Sequence, residues 1–207
     1  MITDFHTHDT QAQNALICVE PEKFAPMPGM TYAVGVHPWH TACCTHSTLS
    51  ALEAAATHPQ VAAIGETGLD SLQGAPIGTQ IEIFRLHIEL AERLGKPLIV
   101  HMVRTSQDVL KLWKESQRHI PWAIHGMRGN PNVAHKLMEA GFYFSFGARF
   151  NADTLKAMPH DRILAETDDD SSHSIDDVIA LIADTIGMSH TETKLLVSRN
   201  AATFLGL

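Results

Sequence analysis

Short apolar runs recur along the chain, and segments with helical periodicity separate most of them. Runs such as Val-Ala-Ala-Ile-Gly and Pro-Leu-Ile-Val-His are almost continuously apolar rather than alternating. Parallel strands that are covered on both faces have this pattern, so the runs predict buried parallel strands. The eight predicted strands are Ile2–His6, Asn14–Val19, Thr31–Val36, Val61–Gly65, Pro97–His101, Pro121–His125, Phe142–Phe146 and Arg162–Glu166.

Capping residues mark where helices begin between these strands. The predicted helix limits are Ser47 before Thr48–His58, Thr79 before Gln80–Leu94 with Gly95 ending it, Asn130 before Pro131, Ser174 with Asp177, and Ser189 with Glu192. Eight strands with intervening helices predict an α/β fold, a compact TIM-type (β/α)8 barrel formed as a single domain over residues 1–207. The stretch between His8 and Thr31 is too short for two crossover helices, so the first two βα units are expected to be reduced.

Composition narrows the class of protein further. Of the 207 residues, 44% are hydrophobic and 18% are charged, which allows a sizeable core and excludes a disordered chain. A formal net charge of −8 excludes a generally basic nucleic-acid binder. The chain has three cysteines and no apolar run of membrane-spanning length, and its first residues predict that no signal peptide is present. We therefore expect a cytoplasmic protein without a membrane segment, and we infer no obligate protein partner.

The 14 histidines are unusually many, and several stand with carboxylates where predicted strands end. Barrel strands bring their C-terminal ends to one rim, where the active sites of this fold lie. The candidate metal ligands at these ends are His6, His8, Glu66, His101, His125 and Asp168. A single histidine is more often an ordinary polar or core residue than a ligand. The combination, however, is typical of a site for one or two divalent cations such as zinc, manganese or magnesium.

Several motifs occur in an order that resembles one enzyme family. They are Asp4-Phe-His-Thr-His, Gly35-Val-His-Pro, Ala63-Ile-Gly-Glu-Thr-Gly-Leu-Asp70, Pro97-Leu-Ile-Val-His101, His125 with Gly129, Glu166-Thr-Asp168 and the closing Asn200-Ala-Ala-Thr-Phe-Leu-Gly. Over almost its whole length the sequence resembles the TatD-type metal-dependent hydrolases. The resemblance implies a TIM-type barrel with two divalent ions that hydrolyses phosphodiesters, often in DNA.

The resemblance also implies a role for each candidate ligand. His6, His8 and Asp168 would hold the first ion, His101 and His125 would hold the second, and Glu66 would bridge both. The sequence departs from the family pattern beside these ligands: Gly126-Met127 stands where Cys-Phe is usual, and Asp169-Asp170-Ser-Ser-His replaces a proline-containing loop. These departures touch the walls of the pocket rather than the ligands.

Asp168 is the residue that we expect to act as general base by taking the proton of the attacking water, with ligation alone as the alternative. Glu66 is the second expected catalytic residue, through the ions that it would bridge. Glu166 stands two residues before Asp168, where it would face the barrel interior or support Asp168.

Other residues near the predicted rim suggest how a substrate would bind. Arg104, Arg128 and Arg149 each follow a predicted strand and would bind phosphate oxygens with their planar donors, or else form surface salt bridges. His37 follows the third predicted strand, among the histidines at strand ends, and it is expected to contact substrate. Trp39 offers a stacking face for a base, or packs as part of a lid.

These features predict a divalent-metal-dependent hydrolase, and specifically a phosphodiesterase or exonuclease-like DNase that uses a hydroxide generated at two divalent ions. The expected substrate is a DNA strand end or a small phosphoester, because the negative net charge argues against tight duplex binding. The alternative is an amidohydrolase or lactonase that acts on a small molecule with the same dinuclear site. A non-catalytic metal-binding protein is disfavoured, since every candidate ligand position holds a competent residue.

Overall fold

The computed structural model describes residues 1–117 and 120–207, and eight strands lie within them. They are β1 (Asp4–Thr7), β2 (Ala15–Val19), β3 (Thr31–Val34), β4 (Val61–Asp70), β5 (Leu98–Val103), β6 (Trp122–Ile124), β7 (Tyr143–Phe146) and β8 (Ile163–Ala165). The strands follow one another in the sheet in chain order, and the registered pairs are parallel. Each of them overlaps a predicted strand.

Helices follow most of these strands. They are α1 (His46–Ala56), α2 (Ile77–Leu94), α3 (Ser106–Glu115), α4 (Pro131–Glu139), α5 (Ala152–Ala157), α6 (Ile175–Ile186) and α7 (His190–Leu205). No helix of the described residues joins β1 to β2, and only a 3-10 turn at Pro21–Lys23 lies between β2 and β3. This arrangement confirms the predicted barrel class with its first two units reduced. In the described part of the chain, no helix is long and apolar enough to span a bilayer.

Two of the predicted helix starts are wrong. The cap of α1 is Thr45 rather than Ser47, because Thr45 Oγ1 accepts the Thr48 N–H at 3.3 Å and closes a capping box. Helix α2 begins after Pro76 without a side-chain cap, so Thr79 lies inside its first turn. The caps at Asn130, Ser174 and Ser189, and the left-handed Gly95 that ends α2, are confirmed.

Strand β4 runs five residues beyond its predicted end at Gly65, as far as Asp70. Gly65 and Gly68 both have φ of 139°, a conformation that side chains disfavour. A Cβ on Gly68 would stand 2.1 Å from the carbonyl oxygen of His101, so only glycine lets β4 approach β5 this closely. Glycine therefore continues this strand instead of ending it, and Glu66 lies within the strand rather than after it.

The chain forms two compact units. The terminal unit comprises Met1–Ile17 and Ala123–Leu207, and the central unit comprises Cys18–Trp122. The prediction of one domain over the whole chain stays a prediction.

The core of the terminal unit fixes α7 against its strands. Phe5 of β1 packs edge-on against Phe204 of α7 with ring centroids 5.1 Å apart, and both side chains are buried. Such a pair contributes about 0.5–1.5 kcal/mol beyond the area it buries. The Asn200 amide donates to the carbonyl oxygens of His160 and Ile163 at 2.7 and 2.8 Å. The closing sequence motif therefore anchors the last helix to the start of β8.

The core of the central unit forms around α2. Phe84 on this helix is fully buried, and its ring centroid lies 5.5 Å from that of Trp122. One turn later, His87 is also fully buried, and its Nε2 accepts the backbone N–H of Val36 at 2.9 Å. Helix α2 thus holds the chain directly before His37.

Candidate metal centre

The first cluster consists of five ligand-type residues of the terminal unit: His6, His8, His125, Glu166 and Asp168. Ligand atoms of His6, His8 and Asp168 lie within 4.8 Å of one another, and so do those of His125, Glu166 and Asp168. Oδ1 of Asp168 is 3.5 Å from Nε2 of His6 and 3.7 Å from Nε2 of His8. The His6 and His125 rings stack with centroids 4.2 Å apart. Asp168 is common to both groups of three.

Backbone hydrogen bonds fix Asp168 against the two histidines of β1. The N–H of Asp168 donates to the carbonyl oxygen of His6 at 2.8 Å, and the N–H of His8 donates to that of Asp168 at 3.3 Å. Asp168 has φ of 54°, in the left-handed region that Asp tolerates better than most residues. The chain after β8 therefore continues along β1, which brings three predicted ligands together.

A buried carboxylate supports this arrangement from behind. Asp4 accepts two hydrogen bonds from Thr167, one from the backbone N–H at 3.1 Å and one from the hydroxyl at 2.6 Å. Burial raises the pKa of Asp4 to about 6, although the hydrogen bonds from Thr167 act in the opposite direction. Asp4 belongs to the first sequence motif, and its position shows that it ties β1 to the residue before Asp168.

Glu166 lies beside His125 and is almost completely buried, with 1% exposure. Its Oε1 accepts the N–H of Gly126 at 2.7 Å and stands 3.8 Å from Nδ1 of His125. Its Oε2 has no hydrogen-bond partner among the described residues. A buried carboxylate oxygen without a partner is costly unless a cation or water satisfies it. The donors of the first cluster therefore fit a divalent cation.

The second cluster lies in the central unit and consists of His37, Glu66 and His101. Oε1 of Glu66 is 3.0 Å from Nε2 of His37 and 2.8 Å from Nδ1 of His101. The two ring nitrogens are themselves 3.2 Å apart. His37, which also follows a predicted strand, was expected to contact substrate, and the structure places it with two of the predicted ligands. Two imidazoles and one carboxylate form a donor set that zinc commonly uses.

Asp70, the last residue of β4, orients the second cluster. Its Oδ2 lies 3.3 Å from Nε2 of His101, so the other ring nitrogen faces Glu66. Burial alone would raise the pKa of Asp70, but hydrogen bonds from Trp39, Leu72 and His101 outweigh it and lower the pKa. A carboxylate bonded to the second nitrogen of a histidine ligand fixes its ring and tautomer.

A cavity of about 310 Å³ opens beside the first cluster within the terminal unit. Its lining includes Asp168, Glu166 and two of the three arginines predicted to bind phosphate, Arg128 and Arg149. Both arginines are exposed and lie on the loops that follow β6 and β7. The third, Arg104, is exposed after β5 in the central unit. Two of the predicted phosphate-binding residues and the predicted base therefore line the same cavity.

Comparison with known proteins tests the family resemblance. The family model described as TatD related DNase matches residues 4–206. The chain belongs to this family.

Two curated relatives show what this TatD-family chain is similar to. "Uncharacterized metal-dependent hydrolase YabD" of Bacillus subtilis is 34% identical over 145 residues, which are 66% of this chain and 57% of that protein. A Musicola paradisiaca protein named "3′-5′ ssDNA/RNA exonuclease TatD" is 28% identical over 153 residues, 68% of this chain and 58% of that protein. The matched part of this chain thus spans little more than half the length of these curated relatives.

A solved structure shows the same fold. The crystal structure of YjjV, a TatD homologue from Escherichia coli K12, matches all of this chain and 98% of its own with a TM-score of 0.85. The sequences are 19% identical, so this likeness speaks for the fold alone. It agrees with the barrel class assigned from the strand order.

The sequence did not reveal how one histidine of this TatD-family chain supports the second cluster. His87 stands in the apolar stripe of α2, where periodicity marks only a core position. Burial lowers its pKa to about 4, although a hydrogen bond to the Ile83 carbonyl opposes the shift. The neutral ring donates to Ile83 from Nδ1 and accepts from Val36 at Nε2. The one sequence feature that could have indicated this role is the presence of a histidine within the apolar stripe of a helix.

Proposed function

We propose that this chain is a divalent-metal-dependent phosphodiesterase that acts on a DNA strand end or a small phosphoester. The observation that carries the proposal is the cavity of the terminal unit, which Arg128 and Arg149 line together with Asp168. Arginine presents a planar fork of donors that fits phosphate oxygens. A neutral amide or lactone would give these two guanidinium groups no anion to bind.

In this proposal, each of the two clusters binds one cation. The proposed ligands are His6, His8 and Asp168 for one ion, and His37, Glu66 and His101 for the other. Nitrogen and carboxylate donors suit zinc and manganese, and the carboxylates also suit magnesium. The implied pairing of His101 with His125, and the bridging role of Glu66, stay predictions.

Each residue of the terminal unit has a distinct part in the proposed reaction. When bound, divalent cations lower the pKa of water and stabilise the charge that develops on phosphoryl oxygens. Asp168 offers a carboxylate at the cavity wall and accepts the proton of the attacking water. Arg128 and Arg149 donate to the phosphate oxygens and orient the ester for attack. Glu166 holds the Gly126 amide and so fixes the loop that carries Arg128.

The name of the Musicola paradisiaca relative supports a nucleic-acid substrate, since that protein is called a single-stranded DNA and RNA exonuclease. The formal charge of −8 opposes tight binding of a polyanionic duplex along its length. A strand end brings fewer phosphates to the protein than a duplex does. We therefore favour a strand end as the substrate.

The test replaces the cavity arginines one at a time. Arg128→Gln and Arg149→Gln are compared with Arg85→Gln, whose arginine is exposed on α2 and pairs with Glu115. Each protein is assayed with added zinc, manganese or magnesium on a short single-stranded oligonucleotide and on a neutral ester, and its metal content is measured.

Each cavity variant should lose roughly tenfold or more in kcat/KM on the oligonucleotide, because a charged hydrogen bond contributes about 1.5–3 kcal/mol. Metal content and hydrolysis of the neutral ester should stay at the level of the Arg85→Gln control. Equal losses on both substrates would contradict phosphate binding by these arginines. Hydrolysis of the neutral ester alone, with every metal, would instead favour an amidohydrolase or lactonase.

A further inference from the structure

A large aromatic ring is displayed beside the second cluster. Trp39 is 44% exposed, the most exposed of the Phe, Tyr and Trp side chains in the described part of the chain. A tryptophan left open to solvent keeps apolar surface in water that burial would stabilise. Part of its ring is therefore accessible to a ligand.

A buried carboxylate holds the Trp39 ring in one orientation. The indole N–H donates to Oδ2 of Asp70 at 2.7 Å, and Oδ1 of Asp70 accepts the N–H groups of Leu72 and Gln73 at 2.8 and 3.2 Å. The Gln80 side chain in turn bonds to both the backbone N–H and the carbonyl of Asp70. The polar edge of the indole is thus satisfied inside the protein, while part of the ring stays open.

The backbone that carries Trp39 is equally constrained. The residue lies in the 3-10 turn Pro38–Cys43, and its N–H donates to Nδ1 of His37 at 3.2 Å. Gly74 packs closely against this turn, since a Cβ there would stand 2.5 Å from the Pro38 carbonyl oxygen and 3.0 Å from Cα of Trp39. A ring fixed in this way loses little conformational entropy when a ligand stacks on it.

The fixed ring adjoins the proposed ligands. Its centroid is 4.7 Å from that of His37, in an edge-to-face arrangement, and 6.0 Å from that of His101. A planar group stacked on Trp39 would therefore lie next to His37 and His101 of the second cluster. In a nucleotide, the base and the phosphate are separated by a single sugar.

We propose that Trp39 is a stacking platform for a nucleobase of the substrate. This inference rests on the proposed function, which identifies the substrate as a phosphodiester. It adds that the protein binds the base of this substrate as well as its phosphate. Stacking tolerates every base, because each has a flat π-face. Trp39 would therefore strengthen binding of nucleotides without selecting a sequence.

The kinetic test removes either the ring or the base. Trp39→Leu and Trp39→Phe are compared with Trp113→Phe, which changes a tryptophan of α3. The substrates are a short single-stranded oligonucleotide and the same oligonucleotide with base-free sugars at both ends. Trp39→Leu should raise KM for the ordinary oligonucleotide roughly fivefold to a hundredfold, as expected for one stacked base. Trp39→Phe should retain part of the affinity, because a benzene ring still stacks.

Base-free ends should raise KM for the wild type and remove the difference between wild type and Trp39→Leu. An equal rise of KM on both substrates, or no rise on either, would overturn the stacking role. A binding experiment separates this result from failure of the proposed function. Fluorescence anisotropy of a labelled oligonucleotide is followed with wild type and Trp39→Leu, in the presence of manganese.

Weaker binding by Trp39→Leu, seen only with base-bearing ends, would support the platform even if no phosphodiester is hydrolysed. That result would contradict the proposed function but would still support the nucleobase site. Equal affinities of the two proteins, or no binding by the wild type, would overturn the inference.

Discussion

The buried His87 should make the free energy of unfolding depend on pH. Its ring is fully buried on α2 and is neutral in the fold, with Nε2 accepting from Val36 and Nδ1 donating to Ile83. Protonation would remove the acceptor at Nε2 and place a charge in the core. Burial therefore lowers the pKa of His87 from 6.5 to about 4.

The size of the effect follows from the difference between the folded and unfolded pKa. That difference is about 2.5 pH units, and each unit corresponds to about 1.36 kcal/mol, so the full effect is on the order of 3 kcal/mol. Below pH 6.5 the unfolded chain binds a proton that the folded protein does not bind. Stability from this group is thus complete above pH 6.5 and is lost as the pH falls towards 4.

Urea unfolding at several pH values between 7.5 and 4 tests this linkage. His87→Gln keeps an oxygen that accepts the Val36 N–H but cannot titrate. Between pH 7.5 and 4, its free energy of unfolding should therefore fall by about 3 kcal/mol less than that of the wild type. His135→Gln, at a histidine that is 67% exposed on α4, should follow the wild type. If His87→Gln and wild type show parallel pH profiles, the assignment of a depressed pKa to His87 is wrong.

Three further outcomes are expected. His6→Ala and His101→Ala should each lower the bound metal, measured by elemental analysis, with unchanged circular dichroism; full occupancy in both would contradict the ligand assignment. Asp168→Asn should keep some metal but hydrolyse oligonucleotides very slowly, because the amide cannot accept a proton; near-normal turnover would exclude the base role. Asn200→Ala should lower the free energy of unfolding by about 1–3 kcal/mol, because two backbone carbonyls lose their donor; an unchanged urea midpoint would show that water replaces the amide.

Most of the strands could be predicted from the sequence because burial on both faces makes long stretches of them apolar, as in Ala15–Val19 and Ile163–Ala165. Their ends were harder to predict. Gly65 is an ordinary stop signal in sequence, yet here it permits close contact between two backbones, and β4 continues to Asp70. The same residue type ends α2 at Gly95, so only the tertiary neighbour distinguishes the two uses.

The ligand-type residues could be recognised because strand ends and residue types agree at six positions. Their supporting contacts could not be recognised, since they join residues far apart in the chain. Asp4 meets Thr167 across 163 positions, and His87 meets Val36 across 51. Neither pair leaves a local pattern, because hydrogen bonds between elements depend on packing rather than on periodicity. The contact between His37 and Glu66 could not be predicted for the same reason, so the sequence indicated only that His37 contacts substrate.

The departures from the family pattern concentrate where the substrate would bind. Gly126 has φ of 59°, a conformation in which a side chain would be strained, and it lines the cavity with Asp169 and Asp170. Hydrogen bonds from Ser172 and His173 hold the pKa of Asp170 well below its usual range, so this wall stays negatively charged.

Loops can change without disturbing the strands that carry ligands, and barrel enzymes alter their substrates in this way. The ligand-type residues stand on or beside β1, β3, β4, β5, β6 and β8, whereas the departures stand on loops. If Arg128 and Arg149 bind one phosphate as proposed, an anionic wall beside them would repel additional phosphates. Under the proposed function, the loop after Asp168 therefore favours a substrate with few phosphates.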